Sequence, residues 1–322
     1  MTKVELDGVA AVPKKSFRMV LVQSVLLVVL AVAIGFWLQR EWPSVQKAFA
    51  SLSPWALVGG IVTATAGLIA SALVWRAVLR GLGQPSHVIP ASVVYLVGQL
   101  GKFIPGGFWA FLYQIALGVR RGFAKTPTAL AGPLSAAAGL ATGATVLGVG
   151  LSRIEIPLPW LYPILGVAPI AAALIWPSIV NWLIHTFLRL ARRGDREITF
   201  SRATIAEIAA WSTVSWFCYG AQLLLLLGGI DHPLSLLETT ALMAAAQCVG
   251  FLAVIVPSGL GVREAVIVAG LAGVANTGTA LTIALAARAT STLGDLLTAG
   301  LSSLVETLRG AGRGDAKSRN RQ

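Results

Sequence analysis

Long apolar runs separated by short polar or basic clusters dominate the chain. Those at about 19–38, 55–75, 127–151, 158–185, 204–229 and 279–307 are each long enough to cross a bilayer core of roughly 30 Å at about 1.5 Å per residue. They predict six full membrane-spanning helices. Alternating period-two segments of the outer-membrane barrel kind are absent. Two further apolar stretches, about 88–119 and 234–273, are interrupted by proline and glycine instead of running through.

Those two interruptions share one pattern. Val97-Gly98 is followed after six residues by Pro105-x-Gly107, with Gly118 beyond; Val249-Gly250 is followed after six by Pro257-x-Gly259, with Gly270 in step. Proline removes a helical N–H and clashes with the preceding turn, so each copy breaks its helix. Broken backbone at membrane depth is tolerated only inside protein or beside a wet cavity. Discontinuous helices at matching places in two halves point to a transport site. The first hairpin is flanked by Arg80 and Arg120, the second by Asp231 and by Asn276-Thr277. With three crossings between them, the repeats at about 55–125 and 204–275 are inverted. The expected fold is therefore an all-α polytopic membrane protein, with six transmembrane helices and two inverted, Pro/Gly-broken, re-entrant helical hairpins.

Composition agrees: 56 % hydrophobic and 12 % charged residues exclude an ordinary soluble domain. The net charge of +12 collects in clusters between or beyond the spans, such as Arg120, Arg121 and Lys125, or Arg189, Arg192, Arg193 and Arg196. That distribution reads as a positive-inside bias rather than a nucleic-acid surface. It puts both termini in the cytoplasm and the protein in the cytoplasmic (inner) membrane. Residues 1–18 then form a cytoplasmic segment, 19–308 the membrane domain, and 309–322 a structureless basic tail. The run 19–38 is too long for a cleaved signal peptide. Cys218 and Cys248 fall inside predicted helices without metal or disulfide spacing and read as packing residues.

Ionisable groups inside apolar sequence are costly and mark function by default. Lys102 lies three residues before Pro105; Arg263 and Glu264 follow the second break; Arg288 and Asp295 sit in the last span. Seven positions place Arg288 and Asp295 on one helix face about 10 Å apart, too far for a direct pair, so each needs a partner elsewhere. Gln99 and Tyr95 before the first break, Gln114 after it and Gln247 before the second complete a polar set. Gly106, Gly107, Gly259 and Gly261 permit close approach of backbone or a head group. Lys102, Arg263, Arg288, Glu264 and Asp295, with Gln99 and Gln247, are the candidate substrate-binding residues. They suit the phosphate of an anionic or zwitterionic phospholipid. Two blander readings stand beside this one: a structural ion-pair network among Arg263, Glu264, Arg288 and Asp295, and a Lys102 that snorkels to the interface. No phosphate loop, nucleophile elbow or HExxH motif occurs, and His87, His185 and His232 are scattered. No enzyme activity, cofactor or metal is expected.

The segment from Gln99 through Lys102-Phe-Ile-Pro105-Gly-Gly107 to Trp109, with Val256-Pro-Ser-Gly-Leu-Gly-Val-Arg263-Glu264-Ala265, resembles two signature motifs of one membrane family. This is the lysylphosphatidylglycerol synthase transmembrane-region family, also called the flippase-like domain family. The likeness runs from about residue 19 to 308, and Trp75-Arg76 and Arg288 also agree with it. In fused members this unit accompanies a cytoplasmic aminoacyl-transferase domain and moves the product lipid across the bilayer. The resemblance implies a standalone membrane unit without that domain, acting as a lipid translocator with membrane phospholipid as partner. The alternative is a non-catalytic partner or scaffold of an envelope-lipid or glycosylation enzyme. A membrane-embedded transferase acting on a lipid-linked sugar is weakest, for want of a donor-binding site.

Overall fold

The computed structural model describes residues 52–104, 108–151, 173, 177–190, 199–228, 234–253 and 259–319. Among them all regular structure is helical. The expected segments 1–18 and 19–38, most of 158–185, and the break residues Pro105, Gly106, Gly107 and Pro257 lie outside the described residues.

Helix α1, Pro54–Gly81, starts where Ser53 accepts the Trp55 N–H with its side chain and proline occupies the first turn. It ends with Arg80 in the last turn and Gly83 at a φ of 75°. Helix α2, Val88–Gly98, passes into a 3-10 turn at Gln99–Phe103; helix α3, Trp109–Arg120, resumes beyond the first break. Helix α4 is Lys125–Leu151 and α5 is Pro177–Leu190. Helix α6, Arg202–Leu226, is capped by Ser201. Helix α7, Leu236–Leu252, opens on a reciprocal capping box between Ser235 and Glu238. Helix α8, Val262–Gly270, resumes beyond the second break, and α9 runs Thr277–Arg319. Residues 309–319 are thus helical where a structureless tail is expected. Extending a helix already formed adds a hydrogen bond per residue fixed and avoids the cost of nucleation.

Each broken helix folds back on itself, α2 against α3 and α7 against α8. The longest helix contact is between α1 and α6. It is close because Gly67 leaves room for Cys218 and Ser215 of α6, and Ser215 donates to the Gly67 carbonyl at 2.8 Å while meeting Ser71 at 2.9 Å. Two apolar cores form among the described residues. Trp75, Leu79, Val94, Leu130 and Ile205 of α1, α2, α4 and α6 build one; Leu223, Met243 and Ile283 of α6, α7 and α9, with Leu271 at the end of α8, build the other.

Two described helices, Pro54–Gly81 and Lys125–Gly150, are long and apolar enough to cross a membrane by length and composition, and Leu236–Leu252 is a shorter apolar helix. Helix α9 shows how a more polar helix fits the same setting. Leu293, Leu296, Leu297, Leu301 and Leu304 form an exposed apolar stripe, while Asp295 and Thr298 on the other side are buried. So large an exposed apolar surface belongs against lipid or another protein.

Candidate functional site

The first break carries Lys102 to the side of α9, where its Nζ meets Asp295 Oδ2 at 2.6 Å. The Asp295 side chain is 6 % exposed and that of Lys102 29 %, so the carboxylate is buried while the ammonium stays partly open to the cavity. At the second break, Gly261 adopts a φ of 83°, a left-handed conformation that a side chain would resist. That turn lets Glu264 reach back, and its Oε2 accepts the Gly261 N–H at 2.6 Å. Oε1 of the same carboxylate accepts from Arg288 at 3.1 Å. Arg288 and Asp295 are therefore each engaged by a different broken helix, and α9 fastens both.

Arg263 is placed differently. Gly250 on α7 has no side chain at the point where the Arg263 stem passes; a Cβ there would collide with Cγ and Cδ of Arg263. Gly259 lies against the Gly250 backbone, with its virtual Cβ 2.8 Å from the Gly250 Cα. The first break has a similar packing: Gly98 of α2 receives the Gln114 side chain, and Gly101 abuts the Trp109–Ala110 backbone. Among the described residues no carboxylate pairs with Arg263, and its side chain lines a cavity.

That cavity has a volume of about 450 Å³ and is walled by residues of α1 to α4 and α6 to α8. Gln99 and Lys102 from the first break, and Gln247, Gly259 and Arg263 from the second, all face it. Gln114 and Ser212 line it too, buried at 1 % and 3 % exposure. Gln114 Oε1 and Ser212 Oγ have no hydrogen-bond partner among the described residues. Both oxygens are enclosed by protein rather than open to the cavity, and a buried polar atom left without a partner is costly.

The sequence-predicted set thus divides. Lys102, Arg263, Gln99 and Gln247 line the cavity; Glu264, Arg288 and Asp295, expected to bind substrate, do not. These three stand behind the wall in ion pairs, because a carboxylate that neutralises a buried cation is no longer available to a ligand. Gly261 shapes the start of α8 without lining the cavity. Sequence reasoning missed Ser212, Trp216 and Tyr219, all lining residues on α6. The available signal was polar and aromatic residues spaced along one apolar helix. Trp216 is held by its indole N–H, which donates to Thr142 Oγ1 at 3.1 Å and to the Gly139 carbonyl at 3.2 Å.

Described residues that are helical throughout their regular structure, with exposed apolar stripes and buried ion pairs, fit a helical membrane protein. The chain belongs to the lysylphosphatidylglycerol synthase TM region family, whose model matches residues 22–299. No curated protein matches it. Membership connects the protein with membrane lipid.

Proposed function

We propose that this protein is a lipid translocator, carrying a phospholipid or other lipid-linked head group across the cytoplasmic membrane without a chemical step. The observation that carries this reading is the cavity of about 450 Å³ between the two broken helices, with Lys102 and Arg263 in its wall. Its volume falls in the range of small-molecule sites, about 300–1,000 Å³. A phosphate there meets the Arg263 guanidinium, which has no carboxylate partner among the described residues, beside a Lys102 ammonium already held by Asp295, and charge-assisted hydrogen bonds to phosphate are the strong ones.

In this reading the six expected spans hold two re-entrant, mutually inverted hairpins, and both termini are cytoplasmic. Inverted halves meeting at a shared site give alternating access by rocking about that site. The ion pairs from α9 to each break, Lys102–Asp295 and Arg288–Glu264, are the contacts that such rocking loads or releases.

The test is reconstitution in liposomes holding a trace of head-group-labelled phospholipid, followed by an impermeant quencher. With protein, quenching is expected to proceed past the outer leaflet, and Arg263→Gln is expected to slow that inner-leaflet phase about tenfold, the equivalent of roughly 1.4 kcal/mol. Quenching that stops at the outer leaflet with folded protein present rejects the proposal.

A further inference from the structure

Each broken helix has an ion pair to α9, but the two pairs are not built alike. At the second break the Glu264 carboxylate is divided between Arg288 at 3.1 Å and the Gly261 N–H at 2.6 Å. Losing one contact leaves the other. Helix α8 behind it is well packed, for Ile267 and Leu271 are buried in one apolar core with Ile283 and Ala287 of α9. Arg263 is confined too, since its stem fills the space that Gly250 leaves open. The second break is a fixed post that presents a guanidinium to the cavity.

The first break is held more lightly. Lys102 sits in the five-residue 3-10 turn Gln99–Phe103, a form with poorer hydrogen-bond geometry that is uncommon at such length. Gly101 is the buried residue of that turn, while Phe103 and the following Ile104 are exposed. Gly101 rests on the Trp109–Ala110 backbone of α3, so it ties the turn to its own hairpin and not to α9. The ionic link to α9 is the Lys102–Asp295 contact at 2.6 Å. Few buried apolar contacts mean low local stability. Lys102 is also partly exposed and lines the same cavity as Arg263. Its ammonium can exchange Asp295 for a phosphate oxygen without losing an anionic partner. Asp295 stays within electrostatic reach of Arg263. Glu264 and Arg288 have no such alternative, because both stand outside the cavity lining.

We infer that the two breaks divide the work of the site. Arg263 on the second is the fixed receptor for a lipid phosphate. Lys102 on the first is the moving contact, which leaves Asp295 for that phosphate and so frees the turn Gln99–Phe103 from α9. Two breaks that match in sequence are then unequal in function: one hairpin swings and the other stays with α9. This step rests on reading the cavity as a phosphate site.

The experiment is amide hydrogen exchange on the full chain in nanodiscs of a phosphate-free galactolipid, with and without added phosphatidylglycerol. With phosphatidylglycerol, amides of Gln99–Ile104 are expected to exchange about tenfold faster, equivalent to about 1.4 kcal/mol of local stability. Those of Gly261–Ala265 are expected to stay as they were. Arg263→Gln is expected to abolish the response, and Asp295→Asn to raise exchange in the turn without phosphatidylglycerol. Equal responses at the two breaks, a response at the second alone, or none at either overturns the division; the wild-type comparison decides this even if a variant fails to fold. The quencher assay judges transport separately. Lipid crossing without a response in the turn overturns the division and leaves the translocator reading standing. A response without crossing supports the division while that reading fails.

Discussion

Lys102 and Asp295 show why single residues here are best judged in pairs. Removing one member of a buried ion pair strands the other at a cost of about 3–5 kcal/mol, and less here because Lys102 is 29 % exposed, whereas replacing both with apolar groups is close to neutral. Asp295→Ala is therefore expected to lower the melting temperature in detergent, and Lys102→Met combined with Asp295→Leu to restore much of it. The double variant should still transport poorly, because Lys102 lines the cavity. A double variant no more stable than Asp295→Ala contradicts the pair's role. Gly250 gives a second expectation at this scale. A Cβ there collides with the Arg263 stem, so Gly250→Val is expected to cost about 1–3 kcal/mol by overpacking and to displace the guanidinium. Chemical denaturation with a parallel transport assay checks both effects. The ionised residues were legible in the sequence because charge in apolar sequence stands out. Gln114, Ser212 and Trp216 were harder, since a lone polar or aromatic residue on a helix has many structural explanations. Only folding shows that Gln114 Oε1 has no partner while Gln222, equally buried, is saturated by the Ala287 carbonyl, Thr290 and Ser291.

At the scale of elements, α9 is the common strut. Gln222 of α6 holds it through three contacts of 2.7–2.9 Å, and the ion pairs attach each broken helix to it. Gln222→Leu strands those α9 groups and is expected to destabilise by about 1–2 kcal/mol. It should lower the melting temperature with little change in which lipid is preferred, since Gln222 is not in the cavity wall. An altered preference with unchanged stability argues against the strut. The broken helices were legible from Pro-Gly spacing, and the observed Val88–Gly98 and Trp109–Arg120 match the expected stretch of 88–119. The reach of α9 to Arg319 was not legible, because a glycine- and charge-rich sequence gives no sign that a preceding long helix will propagate into it. Nor did spacing along α9 separate wall residues from the groups behind the wall. Arg288 and Arg263 look alike in sequence; a neighbouring carboxylate held by the Gly261 turn distinguishes them.

For the whole molecule, the basic clusters and the two matching breaks make a topological statement. Both ends of the chain are expected on the cytoplasmic side, and the loops flanking the two hairpins on opposite sides. Reporter fusions and cysteine labelling at positions near Gly122 and Asn276 check this; labelling of both from the same side contradicts inversion. Sequence periodicity shows that a pattern recurs, but the direction of each copy depends on the number of crossings between them, which apolar run lengths alone leave open. The central claim is that the half-enclosed cavity lined by Arg263 and Lys102 holds a lipid phosphate. A high-resolution electron cryomicroscopy map of the protein in nanodiscs of anionic phospholipid tests it most directly. The account predicts head-group density within hydrogen-bonding distance of Arg263 and Lys102. A cavity closed by protein side chains, or filled only by acyl chains, contradicts it.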